Sequence, residues 1–229
     1  MTKRFGFTLA EVLITLGIIG VVAAMSIPTL IANTNSAKFR SQFKKTVATL
    51  NQAALMGQAQ YDFDFAGTTV ASATNALDPK TTSSIAALLT GTLAGVTITD
   101  TSPYTTAPTV TSAPSTKLYA KLADGALFVF NKAANACTVE PGTDPATYVT
   151  TLANTDGCVG WIDVNGATMP NAESLCVETG VTGLYADASK TCTVKSDAAH
   201  TRDIYPVVFH DGIVEAATYA GRAVLSTAK

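Results

Sequence analysis

Charged residues are scarce in this chain of 229 residues. They make up 14% of the sequence, whereas soluble domains contain about 25%. The formal net charge is −2, so the chain lacks the excess of positive charge that binds the phosphate backbone of a nucleic acid. We therefore expect no nucleic-acid partner.

Histidine is also rare, and the usual catalytic motifs are missing. His200 and His210 are the two histidines, and neither a G-x-S-x-G stretch nor a metal-type histidine pair occurs. His210 directly precedes an Asp-Gly turn signal, which is typical of a residue at a strand end. The sequence thus predicts a protein that is not an enzyme and requires no cofactor.

Cysteine is absent from the first 136 residues, and the four cysteines lack the spacing of a zinc site. They are Cys137, Cys158, Cys176 and Cys192, and no two form a C-x-x-C motif. Two disulfides in an oxidising compartment explain them better than free thiols in the cytosol. Four cysteines allow three pairings, and the sequence does not choose among them. Our working prediction is the sequential pairing, with each bond contributing about 3 kcal/mol.

A long uncharged run follows a short basic N-terminus. The run from Val12 to Ala37 holds 26 residues and would extend ~39 Å as a helix, more than the ~30 Å thickness of a bilayer's hydrocarbon core. Glu11 stands at its start, although an ionised side chain costs about 2.5–3.5 kcal/mol at the centre of a membrane helix. A cleaved secretory signal or a plain signal anchor would leave Glu11 without a role.

The string "GFTLAEVLI" gives Glu11 a role. It resembles the class III signal of type IV prepilins and type II secretion pseudopilins, in which a basic leader ends in glycine, an aromatic residue follows, and a glutamate comes four positions later. Here these residues are Gly6, Phe7 and Glu11, after Lys3 and Arg4. The resemblance implies cleavage between Gly6 and Phe7 by a prepilin peptidase and N-methylation of Phe7.

The same resemblance implies how subunits would assemble. The new α-amino group of Phe7 would pair with Glu11 of its own chain or of a neighbour, and the family precedent favours the neighbour. In a medium of low dielectric, such a pair favours correct axial register because a displaced subunit leaves both charges unpaired. Gly20 and Pro28 match positions at which pilins carry helix-loosening residues; an ordinary kinked transmembrane helix is an equal alternative.

Beyond the apolar run the pattern becomes amphipathic. Apolar residues recur every three or four positions at Phe39, Phe43, Val47, Leu50 and Ala54, which predicts one helix over residues 7–61 after a leader of residues 1–6. Residues 62–116 form a connecting region rich in threonine and alanine. Within it, Ser83 or Ser84 could cap a short helix, and three prolines predict a loop later on.

The remaining residues, 117–229, predict a disulfide-bonded β-rich head. Asp124-Gly125, Asn165-Gly166 and Asp211-Gly212 each suit a hairpin or tight strand connection. We expect an antiparallel sheet of about four strands, with one face on the helix and the other facing outward. The predicted fold class is α+β, with a long N-terminal helix, transmembrane in its first half and amphipathic in its second, packed on this sheet.

Oxygen-bearing side chains gather around the Asn165-Gly166 turn and could coordinate Ca²⁺. Asp and Asn are also common in turns because their side chains form hydrogen bonds with the nearby backbone. This structural role is the stronger expectation here. Major pseudopilins bind calcium in this general region. The candidate ligands are Asp156, Asp163, Asn165, Asn171 and Glu173.

The function predicted from the resemblance is that of a structural subunit of a type IV pilus-like fibre. The alternatives are a type II secretion pseudopilin in a short periplasmic pseudopilus and a membrane-anchored adhesin or binding protein that does not polymerise. Implied partners are copies of the chain, other pilins or pseudopilins, the prepilin peptidase, an inner-membrane assembly platform and membrane lipid. The expected location is the inner membrane, as a single-pass protein with a periplasmic head, and later the fibre.

Overall fold

The computed structural model describes Gly6 and the ranges 8–195 and 202–227, without the side chains of residues 32, 155 and 156. Phe7 and His200 lie outside the described residues. The first element is helix α1, Leu9–Tyr61, which runs without interruption through Gly20 and Pro28. The predicted long N-terminal helix is therefore confirmed.

The connecting region contains one short helix and one strand. Helix α2, Ile85–Thr92, begins at Ser84, whose side chain accepts a hydrogen bond from the Ala87 backbone N–H, as expected for an N-cap. Strand β1, Thr97–Thr99, follows it. The proline-containing stretch 102–116 has neither helix nor strand.

Within its described residues, 117–195 and 202–227, the head contains five further strands and two further helices. The strands are β2 (Lys117–Lys121), β3 (Leu127–Asn131), β4 (Val159–Asp163), β5 (Ile204–His210) and β6 (Ile213–Ala216). Helix α3, Pro145–Thr151, continues into a π-helical turn, Leu152–Asp156, and helix α4 spans Tyr219–Ser226.

The six strands form one antiparallel sheet in sequential order, β1 to β6. This confirms the α+β fold class, with two more strands than expected. Asp124-Gly125 and Asp211-Gly212 connect β2 to β3 and β5 to β6, and both turns use a positive φ, at Gly125 and at Asp211. The hairpin interpretation of Asn165-Gly166 is wrong. That turn leads out of the sheet, and the strand that pairs with β4 on the side away from β3 is β5, which begins only at Ile204.

The main core lies between one face of the sheet and the second half of α1. The five predicted apolar positions of α1 are all buried there, against phenylalanines of β3 and β5. Phe43 stacks on Tyr205 with ring centroids 4.2 Å apart. The apolar residues that recur about every 3.6 positions along the helix therefore pack against those that recur every two positions along the strands.

The opposite face of the sheet is also covered, contrary to the expectation that it faces outward. Tyr104 and Val110 of the proline-containing stretch pack on this face, against Trp161 and Val129 among others. Residues 127–130 of β3 and 159–162 of β4 are apolar without interruption and are buried on both faces, which is the physical reason that a cover is needed.

Two disulfides connect Cys137 to Cys158 and Cys176 to Cys192. The prediction of two disulfides is confirmed, and the pairing is the sequential one. The first bond is fully buried and joins the segment after β3 to the residue before β4. The second closes a loop that packs on helix α4 through Tyr219 and Ala220.

Candidate functional site

The first half of α1 projects away from the head with its apolar side chains uncovered. Every large apolar residue from Leu9 to Ile31 is at least 43% exposed. By length and composition, this segment can span a membrane. Burial of such a surface needs either lipid or other copies of the helix, because the part of the chain that the structure describes does not cover it.

Glu11 and Thr8 together form the N-terminus of this helix. The Thr8 hydroxyl accepts a hydrogen bond from the Glu11 backbone N–H at 3.3 Å. In return, Glu11 Oε2 accepts hydrogen bonds from the Thr8 N–H and the Thr8 hydroxyl, each at 2.8 Å. This is a complete capping box. The carboxylate of Glu11 is thus held within its own chain in the single subunit.

The helix dipole adds to this arrangement. The first N–H groups of a helix carry a partial positive charge, which favours an anionic side chain in the first turn. Glu11 is the acidic residue of that turn. Gly6, two residues before the cap residue Thr8, is exposed. Phe7, on the other side of the predicted cleavage site, lies outside the described residues.

The family model described as "Prokaryotic N-terminal methylation motif" matches residues 1–27. The chain carries the signature of type IV pilins and pseudopilins. The motif supports a pilin- or pseudopilin-like protein in general and fits membrane anchoring by the apolar helix. No curated protein and no solved structure matches the chain significantly.

In this pilin-like chain, most of the basic residues that follow the membrane-length run contact the head. Arg40 donates to the carbonyl of Val194 at 3.1 Å, and Lys44 donates to the carbonyl of Thr227. Lys45 forms an ion pair with Asp124 at 2.9 Å. Lys38 is exposed. Three of these four cations therefore contact the head.

A second group of functional candidates lies where β4 ends and β5 begins. Asp163 and Asp203 are both fully buried. Asp163 accepts hydrogen bonds from the Tyr104 hydroxyl at 2.9 Å and the Asn165 N–H at 3.3 Å. Asp203 accepts from the backbone N–H groups of Asn171 and Ala172 at 3.0 and 2.8 Å. We call Asp163, Asn165, Asn171 and Asp203 the oxygen cluster.

The two carboxyl groups of the oxygen cluster disfavour each other's charge. Burial, and secondarily the charge of Asp203, raise the pKa of Asp163 to about 8. Burial also raises the pKa of Asp203. Within the described residues, the Oδ1 atoms of Asn165 and Asn171 are buried without a hydrogen-bond partner. Asn165 and Asn171 bond to the two acids through their backbone N–H groups and each carries an unpartnered amide oxygen. Such a region favours binding of a proton or a cation.

The structure thus places three of the five predicted calcium ligands in one cluster. The carboxylate of Glu173 instead accepts a hydrogen bond from the Thr111 N–H at 2.6 Å, and the side chain of Asp156 lies outside the described residues. Sequence reasoning missed Asp203. No local signal could have found it, because Asp203 reaches Asp163 only through the pairing of β4 with β5, in which Asp163 lies opposite Ile204.

One other group of side chains has the residue types of a metal site but lacks free thiolates to bind the metal. Cys176, Glu178 and Cys192 lie close enough to share an ion. Since the two cysteines are joined in a disulfide, they provide no thiolate ligand. The carboxylate of Glu178 accepts hydrogen bonds from the Thr193 N–H, so this group is structural.

Proposed function

We propose that the chain is a structural subunit of a type IV pilus-like fibre, assembled by packing of α1 helices, with Glu11 pairing with the N-terminal amine of a neighbouring subunit. The observation that carries the proposal is a single acidic side chain at the head of an uncovered apolar helix. Such a helix suits storage in a membrane and later burial among identical helices.

The capping box supports a specific sequence of events. Before assembly, Glu11 is satisfied by Thr8 and by the helix N-terminus. After cleavage between Gly6 and Phe7, the amine of Phe7 brings a positive charge next to the same end of the helix. In the fibre, an ion pair with a neighbour's amine would replace or join the bonds from Thr8. The bonds from Thr8 are already charge-assisted, and the amine would add the attraction of a full positive charge in a medium of low dielectric.

The partners follow from this proposal. A prepilin peptidase would remove residues 1–6 and methylate Phe7, and an inner-membrane platform would extract the subunit from lipid. The head would face the periplasm while the subunit is stored. A type II secretion pseudopilus is the alternative assembly. A head with two disulfides favours the pilus, because pseudopilin heads are often smaller and lack two disulfides.

The test is assembly of Glu11 variants in cells. We expect Glu11→Ala to be cleaved and membrane-inserted but absent from fibres released by shearing, and N-terminal sequencing of the wild-type fibre should begin at methylated Phe7. Glu140→Ala, at an acidic residue of the head, is the matched control and should assemble normally. Normal fibres from Glu11→Ala would contradict the pairing. A wild-type chain that is never released by shearing would favour the non-polymerising anchor.

We also propose that the oxygen cluster is a low-affinity Ca²⁺ site, which is the second candidate activity. Two carboxylates and two amide oxygens are ligand types that Ca²⁺ accepts, with the remaining positions left to water or carbonyls. Thermal unfolding of the full chain in detergent, with Ca²⁺ or with a chelator, tests it. We expect Ca²⁺ to raise the melting temperature of the wild type and not of Asp203→Asn. An equal melting temperature with and without Ca²⁺ would exclude the site.

A further inference from the structure

The cations of helix α1 stand close together, and no acid of the same stretch balances them. From Val12 to Tyr61 the sequence contains no aspartate or glutamate, and its four cations all fall between residues 38 and 45. Lys38 is the first of them after the uncovered apolar stretch that ends at Ile31. The whole chain has a net charge of −2, so the excess of positive charge here is local.

The length of α1 places Lys38 at the level of lipid headgroups when the helix spans a bilayer. At ~1.5 Å per residue, Lys38 lies about 40 Å from Glu11 along the helix axis. A bilayer is about 40–45 Å thick including its headgroups. With Glu11 among the headgroups of one leaflet, Lys38 therefore lies among those of the other. Its side chain is exposed, and its long stem lets the ammonium reach the polar layer.

The head adds positive charge at the same level. Arg40 follows on the helix, and its Nη2 donates to the backbone carbonyls of Val194 and Lys195 at 3.1 and 3.5 Å. These acceptors are neutral, so the guanidinium charge is not cancelled, and Lys195 lies beside it. The carboxylate of Glu178 reaches the same segment of the head, but it accepts from the Thr193 N–H. Within the described residues it forms no ion pair with these cations.

We call Lys38, Arg40 and Lys195 the basic collar. We propose that the basic collar binds the headgroup phosphates of anionic lipids, such as phosphatidylglycerol, in the leaflet on the head's side of the membrane. Among the described residues, the Lys38 ammonium has no hydrogen-bond or ion-pair partner, so it is free to donate to a phosphate oxygen. The charges of Arg40 and Lys195 strengthen the attraction. The contact fixes how deeply α1 sits in the bilayer and keeps the head at its surface.

A lipid surface fits the basic collar better than a soluble anion does. The collar borders the uncovered apolar part of α1, which itself needs lipid around it. An exposed cation holds a soluble anion only through a charge attraction that salt screens. A headgroup is instead kept beside the collar by the bilayer, at a high effective concentration. The proposal thus rests on membrane anchoring of α1 and not on assembly of fibres.

The experiment measures the lipid selectivity of the full chain in phosphatidylcholine vesicles at low salt. Electron paramagnetic resonance of trace spin-labelled phosphatidylglycerol or phosphatidylcholine gives the relative association constant of each lipid with the protein. One cation near an anionic lipid surface corresponds to about fivefold in affinity. We expect the wild type to prefer phosphatidylglycerol by at least about fivefold, and Lys38→Gln to lower this preference by about fivefold. Because Lys38 is exposed, its replacement should leave the fold intact.

Lys132→Gln removes the same charge far from the basic collar and is the matched control. Lys132 is exposed, and its carbonyl accepts a hydrogen bond from the Ser72 N–H, in the segment beyond the C-terminal end of α1. This variant should keep the wild-type preference. Lys38→Arg keeps the charge and should retain most of it. Lys3 and Arg4, before the membrane-length run, are present in every variant, so differences between variants do not arise from them.

The outcomes separate this proposal from membrane anchoring. Equal association of the two lipids with the wild type, an unchanged preference in Lys38→Gln, or an equal loss in Lys132→Gln would each overturn the proposal and leave anchoring intact. Absence of any motionally restricted lipid would overturn both, because α1 would then lie outside the bilayer. Glycerol 3-phosphate in excess should not reduce the preference, and a reduction would show a site for free phosphate instead.

Discussion

Asp163 gives the sharpest quantitative prediction, because its carboxyl group is fully buried beside a second buried acid. One pKa unit corresponds to about 1.36 kcal/mol. A pKa of about 8, against 3.8 for the free side chain, means that the folded state binds the proton more tightly than the unfolded state. The free energy of unfolding therefore falls as pH rises from about 4 to about 8, by roughly 4 kcal/mol at pH 7 in the absence of a bound cation.

Asp163→Asn removes the charge and keeps the shape. The wild type loses about 5 kcal/mol between pH 4 and pH 8. We expect this variant to be about 3 kcal/mol more stable than the wild type at pH 8 and about 2 kcal/mol less stable at pH 4. At both pH values the variant lacks one hydrogen bond, at a cost of about 2 kcal/mol. The Tyr104 hydroxyl and the Asn165 N–H donate to different oxygens of Asp163, and asparagine replaces one of these oxygens by an NH2 group that cannot accept. The assay is denaturant unfolding of the full chain in detergent with a chelator present, read by the near-ultraviolet signal of the buried Trp161.

Asp100→Asn, at an exposed aspartate, is the control and should change little at either pH. Equal stabilities of the wild type and Asp163→Asn at pH 8 would refute the argument from burial. With Ca²⁺ in place of the chelator, the sign should reverse if the oxygen cluster binds the ion. The wild type then gains stability that Asp163→Asn lacks, because both carboxylates must ionise to bind the ion.

Three further predictions concern the rest of the head. Phe43→Ala should lower the free energy of unfolding of the head by about 3–5 kcal/mol in denaturant titrations, since it removes a fully buried ring stacked on Tyr205; a loss below about 1 kcal/mol would contradict this packing. Burial opposes the charge on His210, but hydrogen bonds to Glu215 and Asp211 outweigh it and raise the pKa of the imidazole. Its contribution to stability should therefore be complete below pH 6.5 and be lost as pH rises through the higher folded-state value, and His210→Gln should remove this slope from melting curves. Reduction should open Cys176–Cys192 before the fully buried Cys137–Cys158 in mass spectrometry of alkylated protein, and Cys137→Ser with Cys158→Ser should lower the free energy of unfolding by about 3 kcal/mol; simultaneous reduction of both bonds would contradict the difference in burial.

Much of the fold was predictable because the signals are local. The apolar period of α1, the Ser84 cap of α2 and the two Asp-Gly hairpins are each encoded within a few residues. Asn165-Gly166 shows the limit. The same local chemistry makes a tight turn there, but whether a turn continues into a pairing strand depends on residues about forty positions later.

The sequence by itself determined the N-terminal methylation motif, the membrane-length helix and the two-disulfide head. Each of these depends on the order of neighbouring residues and on the lengths that a helix or a bilayer requires. Only the tertiary structure decided that Tyr104 covers the second face of the sheet, that Asp203 joins Asp163, and that Lys195 lies beside Arg40. These contacts join residues far apart in the chain, and their position follows from strand register and core packing, which no single segment encodes.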